Sequence, residues 1–245
     1  MALYAIGDTH LSLGCAKPMD VFGGVWENYV EKLKAGFEGV RAEDTVVLCG
    51  DLSWGMSLEE ALPDFAFLDA LPGTKYIVKG NHDYWWTTAN KMTTFWAANG
   101  LTTLHLLHNN CVFYGDVALC GTRGWFFDPA SAETESDKVY RRELIRLEAS
   151  LTAAGKAREK LVFLHYPPKY QGYACREIIE LLEKFQVSRC FYGHLHGHSH
   201  KLALEGPAGG VDYRLVAADY LDFVPEKILD QIEKKSGNLF PNLLK

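Results

Sequence analysis

Residues 3–10, Leu3-Tyr4-Ala5-Ile6-Gly7-Asp8-Thr9-His10, join a short apolar run directly to a glycine, a carboxylate and an imidazole. The apolar run has the length and composition of a buried strand, and it predicts a β-strand over Ala2–Ile6. The side chains of Asp8 and His10 follow the point where this strand ends. The same arrangement recurs along the chain, and it indicates both the fold class and the position of the candidate site.

Four further apolar runs end in polar signatures of the same kind. Each run has the length of a strand and is rich in β-branched, aromatic or other apolar residues. Because ligand sites in open α/β sheets gather at the carboxyl ends of strands, we expect the five signatures to converge on one rim. The four are Gly50-Asp51 after Thr45–Cys49, Gly80-Asn81-His82-Asp83 after Lys75–Val78, His165 after Leu161–Leu164, and Gly193-His194-Leu195-His196 after Arg189–Tyr192.

Amphipathic segments of helical periodicity separate most of these strands. The alternation predicts an α/β sandwich with helices outside and mixed sheets inside. The chain length of 245 residues favours a single domain over residues 1–245. The predicted helices are Trp26–Val40, Leu58–Leu71, Thr87–Ala98, Asp137–Ala154, Cys175–Phe185 and Pro225–Lys234.

Two predicted hairpins complete the pattern. The segment 108–110, His-Asn-Asn, is typical of a turn, and it predicts a hairpin between strands Thr102–Leu107 and Cys111–Tyr114. The glycine-rich segment 206–210 predicts a second hairpin between Leu202–Leu204 and Tyr213–Val216. These hairpins are expected to add antiparallel strands to the sheets.

The composition is that of a globular protein with a sizeable core, since 48% of the residues are hydrophobic. Lys and Arg number 25 against 31 Asp and Glu, and the net charge of −6 argues against nucleic acid as a partner. No apolar run of about 18 residues is present, so no membrane span is expected. A functional Asp8 would leave no room for a removable leader, and we expect a cytoplasmic protein. The six cysteines form no C-x-x-C pair and are expected to be reduced core thiols.

The side chains at the expected rim are carboxylates, an amide and imidazoles, with no thiol among them. This mixture of oxygen and nitrogen donors suits manganese, iron or zinc better than calcium, which prefers oxygen alone. One carboxylate can bridge two cations, and two cations about 3.5–4 Å apart can clamp a phosphoryl group. Glycine before Asp51, Asn81 and His194 is expected to let the backbone turn sharply and direct each ligand inward. The donor chemistry thus favours a two-metal centre.

In order, the five signatures are D-x-H, G-D, G-N-H-[DE], H and G-H-x-H, and they span Asp8 to His196. This set resembles the calcineurin-like metallophosphoesterase family. Any one block is weak evidence, but all five in this order, each after a strand, are specific. The resemblance implies a four-layer α/β/β/α sandwich of two mixed sheets. It also implies a small enzyme without a cap domain that hydrolyses phosphomonoesters or phosphodiesters.

The resemblance implies a role for each residue that matches a block of the family pattern. Asp51 would bridge two metal ions, and a metal-bridging hydroxide would attack phosphorus in line with the leaving oxygen. His82 would stabilise the leaving group or protonate it. The remaining ligands would be Asp8, His10 and His196 on the first metal, and Asn81, His165 and His194 on the second.

The chain departs from the family pattern beside His82. Family members often carry an acidic residue three positions after the bridging aspartate, paired with the catalytic histidine, whereas Trp54 stands at that position here. Without this partner, His82 would titrate near its reference pKa of about 6.5 and would be oriented less tightly. Asp83 is an alternative partner, although adjacent side chains often point apart. The Asp-Arg-Gly extension of protein phosphatases is also missing after Asp51.

Other polar and aromatic residues have two interpretations each. Arg123 could bind a substrate phosphate bidentately or form a surface ion pair, and neither interpretation is favoured. The aromatic run Tyr84-Trp85-Trp86 could stack on a ring of the substrate, but packing at the start of a helix is favoured. His198 and His200 continue the alternation of His194 and His196 and are expected to face solvent or nearby side chains rather than a metal ion.

These features rank the competing functions. A small phosphorylated substrate, such as a nucleotide or cyclic nucleotide, is the first expectation, because the chain has little room for a cap or a DNA-binding extension. A nuclease comes second and a protein phosphatase third. A non-catalytic metal-binding scaffold is the alternative of a different class, and it is disfavoured because no predicted ligand is missing. The sequence gives no indication of the oligomeric state.

Overall fold

A computed structural model describes residues 1–125 and 133–230 of the chain, with the side chains of residues 1–125 and 138–230. Within these ranges, most of the strands belong to two large mixed sheets. The strands are β1 (Leu3–Ile6), β2 (Thr45–Leu48), β3 (Thr74–Ile77), β4 (Leu104–Leu106), β5 (Cys111–Tyr114), β6 (Val117–Thr122), β7 (Glu159–Leu164), β8 (Lys169–Tyr170), β9 (Tyr173–Ala174), β10 (Arg189–Tyr192), β11 (Gly206–Ala208), β12 (Val211–Leu215) and β13 (Glu226–Leu229).

The first sheet has the order β13-β1-β2-β3-β4, and the second has the order β11-β12-β10-β7-β6-β5. Strands β1 to β4 run parallel, and β13 is antiparallel to β1. In the second sheet β12, β10, β7 and β6 run parallel, with β11 and β5 as antiparallel edges. Strands β8 and β9 form a separate short ribbon.

Helices cover the outer face of each sheet. They are α1 (Tyr29–Gly36), α2 (Leu62–Ala70), α3 (Ala89–Ala98), α4 (Glu133–Ala153) and α5 (Arg176–Lys184). Helices α1 to α3 pack on the first sheet, and α4 and α5 pack on the second. The protein therefore has the predicted α/β/β/α layers.

The alternation of side chains along the strands produces three apolar layers. In β2, Val46 and Leu48 face the helices, whereas Val47 lies between the sheets. In β7, Val162 faces the helices of its own sheet, whereas Phe163 lies between the sheets. Because both faces of these strands are buried, their sequences are continuous apolar runs rather than alternating ones. All six cysteines are free, and Cys49, Cys120, Cys175 and Cys190 are buried, in agreement with core thiols.

The predicted hairpin around residues 108–110 is wrong, because its two strands belong to different sheets. Strand β4 pairs in parallel with β3, and β5 pairs with β6. The turn exists, since the side chain of Asn110 accepts from the backbone of His108 at 2.9 Å and donates to the carbonyl of Leu106. This turn carries the chain from one sheet to the other. The residues of the turn do not determine whether the strand that follows pairs with β4 or joins the second sheet.

The predicted helix that begins at Pro225 is also wrong over its described part. Residues 226–229 form β13, the edge strand beside β1, and Ile228 packs between the two sheets. Proline is compatible with the start of an edge strand, so the same residue fits both interpretations. Residues 231–234 of that predicted helix lie outside the described ranges.

Several boundaries shift without changing the architecture. Helix α2 begins at Leu62 rather than Leu58, and α1 occupies only the middle of the predicted helix, between the 3₁₀ turns Gly24–Trp26 and Phe37–Gly39. The second predicted hairpin is present, but its first strand is Gly206–Ala208 instead of Leu202–Leu204. Within the described ranges, no helix combines the length and the apolar character that crossing a membrane requires.

Candidate metal centre

The five polar signatures follow strands β1, β2, β3, β7 and β10, and they meet at the carboxyl ends of the two sheets. The sheets are joined at this rim, where the backbone N–H of Gly7 donates to the carbonyl of Val216 at 2.7 Å. Neighbouring loops are tied together in the same way, since the N–H of Asp8 donates to Gly50 and the N–H of Gly193 donates to His165. The seven residues predicted to bind metal therefore project into one space.

Four of these seven residues have a backbone in the left-handed region. The φ angles are 59° at Asp8, 44° at His10, 52° at Asp51 and 73° at His194. A non-glycine residue in this region costs about 1–2 kcal/mol, and such strain is concentrated at functional sites. Directly after an extended strand, this conformation changes the direction of the chain and of the side chain. The strained backbone thus directs the donors towards the rim.

Glycine is required before the three ligands for two different structural reasons. Gly50 has a φ of 88°, as expected for a sharp turn. Gly80 and Gly193 are outside the positive-φ region, and the expectation of a sharp turn at glycine is wrong for them. A Cβ atom at Gly80 would overlap the carboxylate of Asp51, and a Cβ atom at Gly193 would overlap that of Asp8. These two positions require glycine because a buried carboxylate approaches the backbone closely.

Asp8, His10 and His196 form the first group of candidate ligands. The Nε2 atoms of His10 and His196 lie 3.2 Å apart, and Nε2 of His196 lies 3.4 Å from Oδ1 of Asp8. One donor atom from each of the three residues fits within 4.8 Å of the others. The spacing is compatible with one cation between them. This is the set that the family resemblance assigns to the first metal.

Asn81, His165 and His194 form the second group. Oδ1 of Asn81 lies 2.6 Å from Nε2 of His165, and the rings of His165 and His194 are 5.1 Å apart in edge-to-face contact. Nδ1 of His165 lies 3.1 Å from the carbonyl of Cys49, which orients Nε2 towards the rim. The predicted members of the second set are therefore also adjacent.

Asp51 lies between the two groups. Its Oδ2 atom is 3.8 Å from Nε2 of His10 in the first group and 3.6 Å from Nε2 of His165 in the second. Its Oδ1 atom accepts from the backbone N–H of His82 at 2.7 Å. A single buried carboxylate thus faces donors of both groups, which is the position expected of a bridging ligand.

The electrostatics of the rim fit bound cations. Asp8 and Asp51 are both buried, and burial raises the pKa of Asp51 well above its usual value, with the charges of Asp83 and Asp8 adding to the effect. Burial also lowers the pKa of His165 and of His194 to about 3, so both imidazoles are neutral and keep a lone pair for a metal. The carboxylates of Asp8 and Asp51 and these two neutral imidazoles supply lone pairs, and a pair of cations would favour the ionised form of both carboxylates.

His196 has a buried carboxylate partner, Asp219, that sequence analysis missed. Oδ1 of Asp219 lies 2.8 Å from Nδ1 of His196, and Oδ2 accepts from the N–H of Gly197 at 3.0 Å. Burial lowers the pKa of His196, but Asp8 and Asp219 outweigh it and raise the pKa to about 10. The contact fixes the ring so that Nε2 faces the first group. One feature of the sequence could have indicated this contact. Asp219 follows the end of β12 by four residues, and β12 pairs in parallel with β10, the strand that precedes His196.

We expect Asp219→Ala to weaken metal binding by about 10–100-fold, because His196 would lose the group that fixes its tautomer and ring orientation. The measurement is an isothermal calorimetric titration of the chelator-treated protein with manganese. Asp222→Ala, three residues further along the same loop, is the control and should bind manganese as wild type does. Equal affinity in the Asp219 variant and wild type would contradict the assigned role.

Asp83 does not pair with His82. Its buried carboxylate accepts from the backbone N–H groups of Asp51, Leu52 and Gly80 at 3.0, 2.8 and 2.6 Å, and from Nε1 of Trp85 at 3.1 Å. The carboxylate therefore holds the loop after β2 against the loop after β3. These loops carry Asp51 and Asn81, so Asp83 positions two of the candidate ligands.

His82 lies at the rim in an aromatic setting. Its Nδ1 atom is 3.2 Å from the hydroxyl of Tyr84, and its ring is 4.6 Å from that of Trp54. Trp54 also stacks on His10, with ring centroids 5.0 Å apart. Among residues with described side chains, no carboxylate lies within ion-pair distance of His82. Trp54 thus gives His82 an apolar contact at the position where family members often have an acidic residue, as the sequence indicates.

The remaining candidates occupy separate positions. The guanidinium of Arg123 lies 3.6 Å from the buried carboxylate of Glu143 and over the ring of Trp125, and its contact with substrate stays a prediction. Trp85 is buried against Phe65, in agreement with packing. His200 faces Asp219 at 3.2 Å, within the 3₁₀ turn Gly197–Leu202, rather than the metal groups.

Comparison with known proteins identifies the family. Residues 1–198 match the family model described as calcineurin-like phosphoesterase, and the chain belongs to this family. The structure resembles a phosphopantetheinyl hydrolase from Mycobacterium tuberculosis, with 12% identity, a TM-score of 0.59, and coverage of 96% of this chain and 98% of that chain. It also resembles a protein of unknown function from Aquifex aeolicus, with 16% identity, a TM-score of 0.49 and coverage of 92% and 95%. Comparison with curated proteins gave no match.

Proposed function

We propose that this protein is a dinuclear-metal-dependent phosphoesterase that acts on a small phosphorylated substrate. The family supports phosphoester hydrolysis. The observation that carries the dinuclear centre is the position of Asp51, whose Oδ2 atom lies within 4 Å of an imidazole nitrogen in each of the two donor groups. The donor chemistry favours two divalent or trivalent ions among manganese, iron and zinc.

The residues of the rim would divide the work as follows. One ion would be held by Asp8, His10 and His196. The other ion would be held by Asn81, His165 and His194, and Asp51 would bind both ions. The two ions would supply the positive charge that activates a water molecule and stabilises the phosphoryl oxygens. In its protonated form, His82 would donate the proton on Nε2 to the leaving oxygen and return to the neutral imidazole, while Nδ1 faces the hydroxyl of Tyr84. The protein itself forms no covalent bond to phosphorus in this scheme.

The proposal favours a small phosphate ester over the alternatives. A nuclease would need to attract a polyanion, whereas the chain has a net charge of −6. A non-catalytic scaffold would not need all seven donors together with a strained backbone at four of them. A protein phosphatase ranks lower because the loop after Asp51 has no Asp-Arg-Gly segment.

The direct test combines metal analysis with turnover. We expect the purified protein to contain about two metal ions per chain. With manganese, it should hydrolyse p-nitrophenyl phosphate or bis-p-nitrophenyl phosphate, and a chelator should abolish the reaction. Comparison of the two esters separates a monoesterase from a diesterase, and a panel of nucleotides and cyclic nucleotides narrows the substrate. A fully metallated protein that turns over none of these esters would support the scaffold instead.

We expect His82→Ala to keep both metals and to slow turnover by about a hundredfold, most for esters with poor leaving groups, because general acid catalysis matters most there. The measurement is the rate for phenyl phosphate against p-nitrophenyl phosphate, with metal content determined on the same sample. Tyr84→Phe is the matched control, since it removes only the hydroxyl that faces Nδ1. Loss of metal in His82→Ala would show that His82 is a ligand.

A further inference from the structure

A second cavity lies beside the rim and uses none of the seven candidate ligands. Its volume is about 530 Å³, and it opens between the loop after β3, the start of α3, the turn after β4 and the face of α4. The cavity thus brings together elements of both sheets. The residues that matter for its chemistry are Lys79, Trp86, Thr87, Thr88, His108 and Arg146.

The cavity carries an excess of positive charge. Lys79 is half-buried and forms no ion pair with any residue whose side chain is described. The guanidinium of Arg146 lies 2.6 Å from Glu143, which Arg123 also faces at 3.6 Å. Glu143 is buried and accepts from the hydroxyl of Thr122 as well. Among the described side chains, Glu143 therefore pairs with Arg123 and Arg146 but not with Lys79. These four groups carry three positive charges and one negative charge, a net charge of +2 in the absence of a ligand.

The burial of Lys79 makes this imbalance costly. The side chain of Lys79 is half-buried, so water solvates its charge only in part. An anion placed between Lys79 and Arg146 would reverse this cost, because a charge-assisted hydrogen bond is stronger in a partly buried site than in water. A phosphate dianion matches the net charge of the cluster.

The same cavity contains an aromatic surface, the ring of Trp86, and a ring nitrogen of His108 that can donate or accept a hydrogen bond. The ring of Trp86 lies 5.3 Å from that of His108. Burial, followed by the charge of Arg146, lowers the pKa of His108 to about 4, so its ring is neutral at pH 7. Nδ1 of His108 is buried and has no hydrogen-bond partner within the described part of the chain. A planar ligand with polar edges would use both the face of Trp86 and this nitrogen.

We propose that this cavity is a second ligand site that binds a phosphorylated molecule with a planar ring, the nucleoside monophosphate class. Lys79 and Arg146 hold the phosphate, Trp86 stacks on the ring, and Nδ1 of His108 hydrogen-bonds to its edge. The hydroxyl of Thr87 is available to the phosphate or the sugar, whereas Oγ1 of Thr88 accepts from the backbone N–H of Lys91 at the start of α3. The site is separate from the metal centre, and it does not depend on the function proposed for that centre.

The test is calorimetric binding of the hydrolysis-resistant methylenephosphonate analogue of AMP to the whole 245-residue chain as purified. We expect Lys79→Gln and Arg146→Gln each to weaken binding by about tenfold or more, the effect of removing one charged hydrogen bond. Lys156→Gln, at an exposed lysine in the turn after α4, is the control and should bind as wild type does. Trp86→Leu should weaken binding of the analogue but leave binding of inorganic phosphate unchanged.

The metal centre is a competing site for the same probe, and Asp51→Asn separates the two. Binding in the cavity should persist in Asp51→Asn and fall in Lys79→Gln. The reverse result, loss in Asp51→Asn with no change in Lys79→Gln, would overturn the proposal, as would absence of binding to wild type. Within the described ranges, Lys79 forms no ion pair that the substitution would break. A thermal unfolding curve like that of wild type would show that Lys79→Gln reports on binding rather than on folding.

Discussion

Asp51→Asn is expected to lower phosphoester turnover by about a thousandfold, which corresponds to ~4 kcal/mol of transition-state stabilisation. The amide keeps the shape of the side chain and an oxygen for the N–H of His82, so the fold should survive. It removes the negative charge that faces both donor groups. Repulsion between two cations would then be less compensated, and we expect at least one metal ion to be lost.

The measurement for Asp51→Asn is metal content per chain together with the turnover of p-nitrophenyl phosphate and its bis-ester. Asp44→Asn is the matched control, because Asp44 is also a buried carboxylate that accepts backbone N–H groups. It precedes β2, whereas Asp51 follows it, so the two lie about 20 Å apart along the strand. Turnover and metal content like those of wild type in Asp51→Asn would refute the bridging assignment.

The architecture and the candidate site could be predicted from sequence because their signals are local. A short apolar run followed by a donor residue marks both the strand and the end of the strand at which a ligand site lies. Parallel pairing brings the ends of β1, β2 and β3 together in one sheet and those of β7 and β10 together in the other, and the bridge between Gly7 and Ala217 joins the two sheets at this rim. The strands that were mispredicted lack this support. The chain between β4 and β5 crosses from one sheet to the other, and β13 pairs with β1 across most of the sequence.

The residues that orient the ligands were harder to predict than the ligands themselves. Asp219 lies in no dense motif, and its contact with His196 depends on the parallel pairing of β12 with β10. Asp83 is adjacent to His82, and this adjacency suggested a catalytic pair. Its carboxylate instead satisfies backbone donors of another loop, which only the tertiary structure determines. The orientation of the ligands depends on contacts between residues far apart in the sequence, whereas the donor residues can be recognised from short sequence segments.

Trp54 shows how one substitution in the family pattern changes the surroundings of His82. An acidic residue at this position would attract a proton to His82 and fix its ring. The indole instead lies against both His82 and His10, and the ammonium group of Lys17 lies 5.5 Å from its ring centroid. Burial is the main effect that lowers the pKa of His82, the charge of His196 adds to it, and the charge of Asp8 opposes it only in part. The orientation of His82 then depends on packing and on Tyr84 rather than on an ion pair.

Asp83→Leu is expected to reduce the free energy of unfolding by about 4 kcal/mol or more, because leucine leaves four buried donors without an acceptor and each costs about 1–3 kcal/mol. This is a large part of the total stability of an ordinary domain. Burial raises the pKa of Asp83 to about 6, so the side chain is mainly a carboxylate at pH 7, the form that accepts all four hydrogen bonds. The measurement is urea unfolding followed by circular dichroism.

Asp83→Asn provides the graded comparison, since its amide oxygen can still accept from some of the four donors, and it should lose less stability than Asp83→Leu. Unfolding midpoints of both variants equal to that of wild type would contradict this role. Activity should fall in step with stability, because three of the lost hydrogen bonds come from the backbone of Asp51, Leu52 and Gly80, in the loops that carry Asp51 and Asn81. A carboxylate that touches neither metal nor substrate would then determine the metal content, since it holds together the two loops from which the bridge and one ligand of the second group project.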